Sequence, residues 1–248
     1  MASFDDPSFD DPAFFGDRWA AVYDEGPASD PVAEVDFLAA VADGGRVLEL
    51  AVGTGRVALP LAARGVPVAG VEASEQMVAQ LRAKPGGSQI PVTIGDMADV
   101  PVEGSFRLVY LVFNTLFNLL DPARQADCFR NVARVLDPDG AFVIKCFVPD
   151  PAKFDRGQRV DAREVTEDSA TIQVWIHDGA AQRYKKQTVT FSAAGIRLLP
   201  SALRYSWPSE LDLMAHQAGL RLSERYASWD RQPFGSDSTD HISVYRPA

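Results

Sequence analysis

The sequence is poor in the residues that most often announce a reactive centre. It holds three histidines and two cysteines in 248 residues. Cys128 and Cys146 lack zinc-ligand spacing, both fall in segments that read as buried helix and strand, and reduced structural thiols are expected. No carboxylate cluster follows the fourth strand to chelate Mg²⁺ with a substrate, so no metal site is expected. Lys and Arg number 24 against 34 Asp and Glu, a net charge of −10. Tight polynucleotide binding needs basic residues to neutralise phosphates, so no nucleic-acid partner is expected. No apolar run reaches the roughly 18 residues of a membrane span, and the acidic start lacks the basic region of a signal peptide. No membrane partner and a cytoplasmic location are expected.

What is present is an alternation of strands and helices. With 46% hydrophobic residues the chain can bury one sizeable core, and one domain with an insertion is expected. Residues 1–12 contain a tandem repeat, Ser3-Phe4-Asp5-Asp6-Pro7 and Ser8-Phe9-Asp10-Asp11-Pro12. It is too short and polar for a repeat architecture and reads as a flexible arm. Phe15, Trp19 and Tyr23 recur every four residues and would share one helix face. A helix over Val32 to Ala42 leads into the first strand, and βα units continue to a fifth strand, Ala141 to Phe147. Repeated βα units imply a doubly wound α/β fold whose parallel sheet is covered on both faces.

After Pro149 the rhythm changes. Ala162 to Glu167, Thr171 to Ile176, Arg183 to Phe191 and Gly195 to Tyr205 read as strands joined by short turns, an antiparallel meander inserted at 150–206 of a domain spanning 13–248. The βα pattern returns with a helix near Ser209 to Ala218, stopped by Gly219, then strands at Leu220 to Ser228 and His241 to Tyr245.

The most informative run is Arg46-Val47-Leu48-Glu49-Leu50-Ala51-Val52-Gly53-Thr54-Gly55-Arg56, an apolar strand with one acid that breaks into a glycine turn. Gly53 and Gly55 can take φ > 0 and let backbone approach a ligand closely. A helix from about Gly55 to Arg64 would aim its N–H groups and positive dipole end at that turn, an anion site. The second strand ends in Glu72, placed to accept ribose hydroxyl protons. Gly53 to Ala58 also satisfies the dinucleotide pattern G-x-G-x-x-G/A with an acid downstream, which leaves a nicotinamide cofactor open. Glu49 argues otherwise, since its charge would repel a pyrophosphate and tolerate a sulfonium or ammonium. Gly95-Asp96-Met97, after the third strand, offers an acceptor for an adenine amino group and an apolar side chain for its ring.

The order Glu49-x-Ala51-x-Gly53-x-Gly55, Glu72, Gly95-Asp96-Met97, then Val109 to Asn114 resembles the class I S-adenosylmethionine-dependent methyltransferases. The resemblance implies a Rossmann-like, mostly parallel seven-stranded sheet with an antiparallel last strand, so that loop Gln232 to Asp240 overhangs the active-site edge. It implies S-adenosyl-L-methionine as cofactor, with Ala51 and Gly53 at its methionine part, Glu72 at the ribose, and Asp96 with Met97 at the adenine; Ala73 and Met77 are further cofactor-binding candidates. Ala51 stands where glycine is usual. Arg56 is either a partner of the cofactor carboxylate or a solvated helix residue. Phe15, Trp19 and Tyr23 would either pack on the core or form a lid over the cofactor, and Phe113 is a further cofactor-binding candidate.

Asn114 and Phe117 lie where relatives hold the acceptor, and the segment lacks the Asn/Asp-Pro-Pro-aromatic motif of nucleobase methylases. A small-molecule acceptor is therefore expected, with Trp175 and Tyr205 as further lining candidates beside Tyr184, Arg204 and Trp229. Of the histidines, His241 is the candidate base, while His216 reads as structural. The layout is similar to that of amino-sugar and natural-product N- or O-methyltransferases. A non-catalytic nucleoside-binding regulator remains the other class, and self-association into a homodimer is left open.

Overall fold

A computed structural model describes residues 7–25 and 31–248. The chain builds a seven-stranded sheet in the order β10-β11-β5-β4-β1-β2-β3. Its strands are β1 (Val47–Leu50), β2 (Val68–Glu72), β3 (Val92–Ile94), β4 (Phe106–Leu111), β5 (Leu136–Phe147), β10 (Leu220–Tyr226) and β11 (Asp240–Pro247). β3, β2, β1, β4 and β5 run parallel, and β11 runs antiparallel to both β5 and β10. This is the mostly parallel, doubly wound sheet that the alternation of elements implied.

Side chains alternate across the sheet into two cores. Leu108 and Tyr110 of β4 join Val47 and Val143 on one face, packed by α2 (Val32–Ala42) and α3 (Ala58–Ala63). Val109 and Leu111 join Leu48, Leu50 and Ile144 on the other, packed by α5 (Pro122–Val135) and α6 (Pro208–Gln217). Burial on both faces explains why these strands read as continuous apolar runs. α4 (Glu75–Ala83) starts at an N-cap, Ser74, whose Oγ accepts from the Met77 N–H at 3.2 Å.

The region after Pro149 forms a separate four-stranded antiparallel sheet, β6 (Gln158–Val165), β7 (Ser169–Asp178), β8 (Arg183–Ser192) and β9 (Gly195–Arg204), in sequential order. It is latched to the main body through Arg204, whose guanidinium donates to Gln125 Oε1 at 2.6 Å and Glu210 Oε1 at 2.5 Å. Arg204 is thereby a structural residue and not a pocket wall.

The amino-terminal segment packs against the body of the protein. Of the tandem repeat, residues 7–12 are described, and Pro7–Asp10 forms a 3₁₀ helix. Phe9 packs against Phe14 with ring centroids 4.7 Å apart. Residues 1–6 lie outside the described part. α1 covers only Phe14–Trp19, so Tyr23 lies in the following turn, yet still meets Phe15 edge-on at 6.2 Å.

Candidate active site

The carboxyl ends of β1, β2 and β3 open on a cavity of about 480 Å³, within the range of small-molecule pockets. The order of β1 between β2 and β4 marks the point where the winding reverses, the place where open α/β sheets hold ligands. Among the expected cofactor residues, Tyr23, Ala51, Gly53, Glu72, Ala73, Met77, Asp96 and Met97 line this cavity. Glu49, Arg56 and Phe113 instead line a smaller adjoining recess that shares Tyr23, Ala51 and Gly53 with it.

The glycine turn is built differently from its expected form. Helix α3 starts at Ala58, so its amino end does not close directly on Gly53. The Gly53 N–H donates to Glu72 Oε2 at 2.8 Å, and the Ser74 N–H donates to Oε1 at 2.9 Å. The turn therefore holds the protein's own carboxylate and is not a vacant anion site. Burial raises the Glu72 pKa against the lowering effect of the Ser74, Gly53 and Ala73 N–H groups. Each carboxylate oxygen retains lone-pair capacity for a ligand hydroxyl. Ala51 adopts φ 52°, the left-handed region usually left to glycine.

Asp96 is oriented in the same way. Its Oδ1 accepts from the Ala98 N–H at 2.8 Å and its Oδ2 from Arg124 at 2.8 Å. Arg124 also lines the cavity; nothing in its local sequence marks it, because its partner lies 28 residues upstream.

Glu49 overturns the charge argument that singled it out. It is buried, accepts from the Tyr110 hydroxyl at 2.7 Å, and burial pushes its carboxyl up to about 8. At neutral pH the protonated acid predominates, so Glu49 offers no standing charge to attract a cation. Arg56 pairs with Glu34 at 3.1 Å and lies 3.3 Å over the Phe113 ring, so it is not a solvated helix residue.

Of the three aromatics expected to form a lid, Phe15 and Tyr23 line the cavity and Trp19 does not. Phe9, Asp10 and Phe14 also line it. Trp19 stacks behind Phe15 at 5.4 Å and donates its Nε1–H to the Pro200 carbonyl at 3.1 Å. The segment is fastened by Ser74 Oγ donating to Asp17 at 2.6 Å and by Thr54 Oγ1 donating to Asp24 at 2.9 Å. A Cβ at Gly16 would come within 2.4 Å of the Ser74 Cβ, so only glycine lets α1 settle this closely on α4.

The expected acceptor residues are mostly elsewhere. Phe117 is fully buried and packs edge-on against Phe147 at 5.0 Å, a core residue. Asn114, at φ 66°, uses Oδ1 to accept from the Phe147 N–H at 2.6 Å and so ties β4 to β5. Tyr205 is buried, stacks on Tyr184 and meets His177 Nε2 at 3.1 Å. Trp175 packs against the core and does not line the cavity. Thr115, Asn118, Arg183 and Ser201 line it instead.

His241 fails as the base. It is fully buried in β11, paired with Cys146 of β5, with Nδ1 at 2.9 Å from Ser243 Oγ. Burial, reinforced by the Arg225 charge, lowers its pKa to about 4. It lines neither cavity, nor does any residue of loop 232–240. Trp229 of the preceding turn packs on Phe37 at 5.4 Å. Among the described residues no cluster of potential ligands could hold a metal ion, and no helix is long and apolar enough to cross a membrane.

Comparison with known proteins agrees with this geometry. Residues 47–140 match the family described as "Methyltransferase domain". The structure of the CcbJ methyltransferase from Streptomyces caelestis superposes with a TM-score of 0.89 at 41% identity, covering 94% of this chain and 98% of that one. The cypemycin N-terminal methyltransferase of a Streptomyces species is 29% identical over 82% of this chain and 83% of its own. The S-adenosylmethionine-bound amino pentose methyltransferase CalS10 from Micromonospora echinaspora shares the fold, with a TM-score of 0.67 at 22% identity over 91% of this chain and 94% of that one.

Proposed function

The chain belongs to the S-adenosylmethionine-dependent methyltransferases, and from that premise we propose that it methylates a nitrogen or oxygen of a small-molecule acceptor entering beside the meander. The observation that carries this reading is the continuity of one cavity from the glycine turn, past Glu72 and Asp96, to Ser201 of β9 and Phe15 of the lid. The dinucleotide alternative falls with the family assignment.

The residues present fit the cofactor. Glu72, held at both oxygens by backbone N–H groups, receives the ribose hydroxyls without needing to reorganise. Asp96, fixed by Arg124, would accept from the adenine amino group, and Met97 would supply apolar contact to its ring. Ala51 and Gly53 would offer backbone to the methionine part, and Tyr23 lines the same cavity. Phe113 and Arg56 close the adjoining recess. When bound, S-adenosylmethionine supplies an electrophilic methyl carbon. The chain's own contribution is to align the acceptor and exclude water beneath Phe9, Phe14 and Phe15.

An amine acceptor suits this site best. It need only arrive neutral, whereas a hydroxyl calls for a base, and none of the histidines lines the described cavities. The relative named for N-terminal methylation points the same way. The two cysteines are unpaired and buried, which suits a reducing cytoplasm.

Calorimetric titration with S-adenosylhomocysteine and, separately, with NAD tests the cofactor reading. Saturable binding of the former alone is expected; binding of NAD alone would refute it. Turnover of amine over hydroxyl acceptors then decides the atom methylated.

A further inference from the structure

The meander carries a row of polar groups that the cofactor does not use. In the strand register Trp175 of β7 stands opposite Lys186 of β8, and Lys186 opposite Ser201 of β9. Directly opposed residues project from the same face of a sheet. Among the described residues Trp175 Nε1 and Ser201 Oγ are buried without a hydrogen-bond partner, which native proteins rarely tolerate without a reason. Lys186 makes no hydrogen bond or ion pair among the described residues. Its ammonium instead lies 5.1 Å from the Trp175 ring and 5.7 Å from the Trp19 ring. Ser201 lines the main cavity and is 3% exposed, so the row reaches the wall against which the acceptor would sit.

The chemistry of this row is one-sided. An indole N–H and an ammonium can only donate, and a hydroxyl can do so. Desolvation, together with the Arg163 charge, pulls the Lys186 pKa down to about 8, the direction expected of a cation lacking a counter-ion. Between residues 158 and 204 basic residues outnumber acidic ones, although the whole chain is strongly acidic. A donor-rich, locally cationic row calls for an anionic oxygen group.

We propose that Trp175, Lys186 and Ser201 form a subsite for a carboxylate on the methyl acceptor, with Trp19 of the lid closing over it. The proposal rests on the methyltransferase reading and names the acceptor class that this site would select. The carboxylate replaces water around the ammonium, takes the indole N–H and the serine hydroxyl, and so fixes one end of the acceptor while its amine reaches the methyl group. Trp19 joins α1 to this subsite, so acceptor binding and lid closure stabilise one another.

The test uses the full chain loaded with S-adenosylhomocysteine and titrated with benzoate and with benzamide, its neutral counterpart. Benzoate should bind at least tenfold more tightly, and Lys186→Met should abolish the preference while leaving S-adenosylhomocysteine affinity unchanged. In ¹⁵N spectra of the wild-type protein the Trp175 indole resonance, identified by its loss in Trp175→Phe, should move on addition of benzoate and not of benzamide. Equal affinities in the wild type, a preference that survives Lys186→Met, or an unmoved Trp175 resonance would each overturn the subsite. The wild-type measurements decide the matter even if Lys186→Met does not fold. Failure of the wild type to bind S-adenosylhomocysteine would strike the cofactor reading instead.

Discussion

The carboxyl edge of β1 to β3 and the meander both bury polar groups beside one cavity, but they satisfy them in opposite ways. At the parallel edge Glu72 and Asp96 are held by nearby main-chain N–H groups, those of Gly53, Ser74 and Ala98. In the meander Trp175 Nε1 and Ser201 Oγ have no hydrogen-bond partner among the described residues, and the Lys186 ammonium lies against two tryptophan rings. The first region is finished before a ligand arrives, which suits one invariable cofactor. The second leaves donors for a ligand to complete, which suits a choice of acceptor.

The largest test of this contrast is Glu72→Ala. Loss of charged hydrogen bonds to the ribose should weaken S-adenosylhomocysteine binding by about 1–3 kcal/mol, measured by calorimetry, with thermal unfolding of the free protein followed in parallel. Unchanged affinity would remove Glu72 from the cofactor site. Next, Gly16→Ala forces a Cβ against Ser74 and should lower stability by about 1–3 kcal/mol, accompanied by faster hydrogen exchange across α1. If α1 stays protected, the lid is not held by that close approach.

A smaller, pH-dependent effect is expected at Glu49. Its folded pKa of about 8 lies above the ordinary 4.5, so the folded state holds the proton more tightly. Its contribution to stability is fully present below about 4.5 and is lost as pH rises through about 8. Glu49→Gln should therefore flatten the stability profile over that window, as read by denaturant midpoints; parallel profiles for the two proteins would place Glu49 in a more solvated setting. Ala51→Gly relieves about 1–2 kcal/mol of left-handed strain but adds about 0.5–1 kcal/mol of unfolded-state entropy. The net change in stability should be a gain below about 1.5 kcal/mol, and a net loss would show that Ala51 packs usefully. The smallest effect on turnover is expected from His241→Asn, which should lower thermal stability and leave kcat unchanged. A collapse of kcat in a folded variant would reinstate His241 as a participant.

The candidate site was legible where chemistry is local. Gly53, Glu72, Asp96 and Met97 follow strand ends directly, and the alternation of elements fixes which end of the sheet they share. Glu49 was visible as an acid but not as a protonated one, because its pKa depends on burial against Tyr110, 61 residues away. His241 and Phe117 misled for the same reason. Their residue types suit catalysis or binding, and only packing shows that both are sealed inside the core. Arg124 and Ser201 gave no signal, since their positions in the cavity follow from helix and strand packing.

By itself the sequence determined the strand and helix order, the family's cofactor motifs and the inserted meander, because periodicity, glycine turns and strand-end acids act over a few neighbouring residues. Only the tertiary structure decided the rest. It gave Glu72's carboxylate to the glycine turn and bent the amino-terminal segment into the cavity wall. It also set Lys186 between two tryptophans from different elements. Burial and hydrogen-bond satisfaction depend on residues far apart in the chain, and no local pattern encodes which of them will meet.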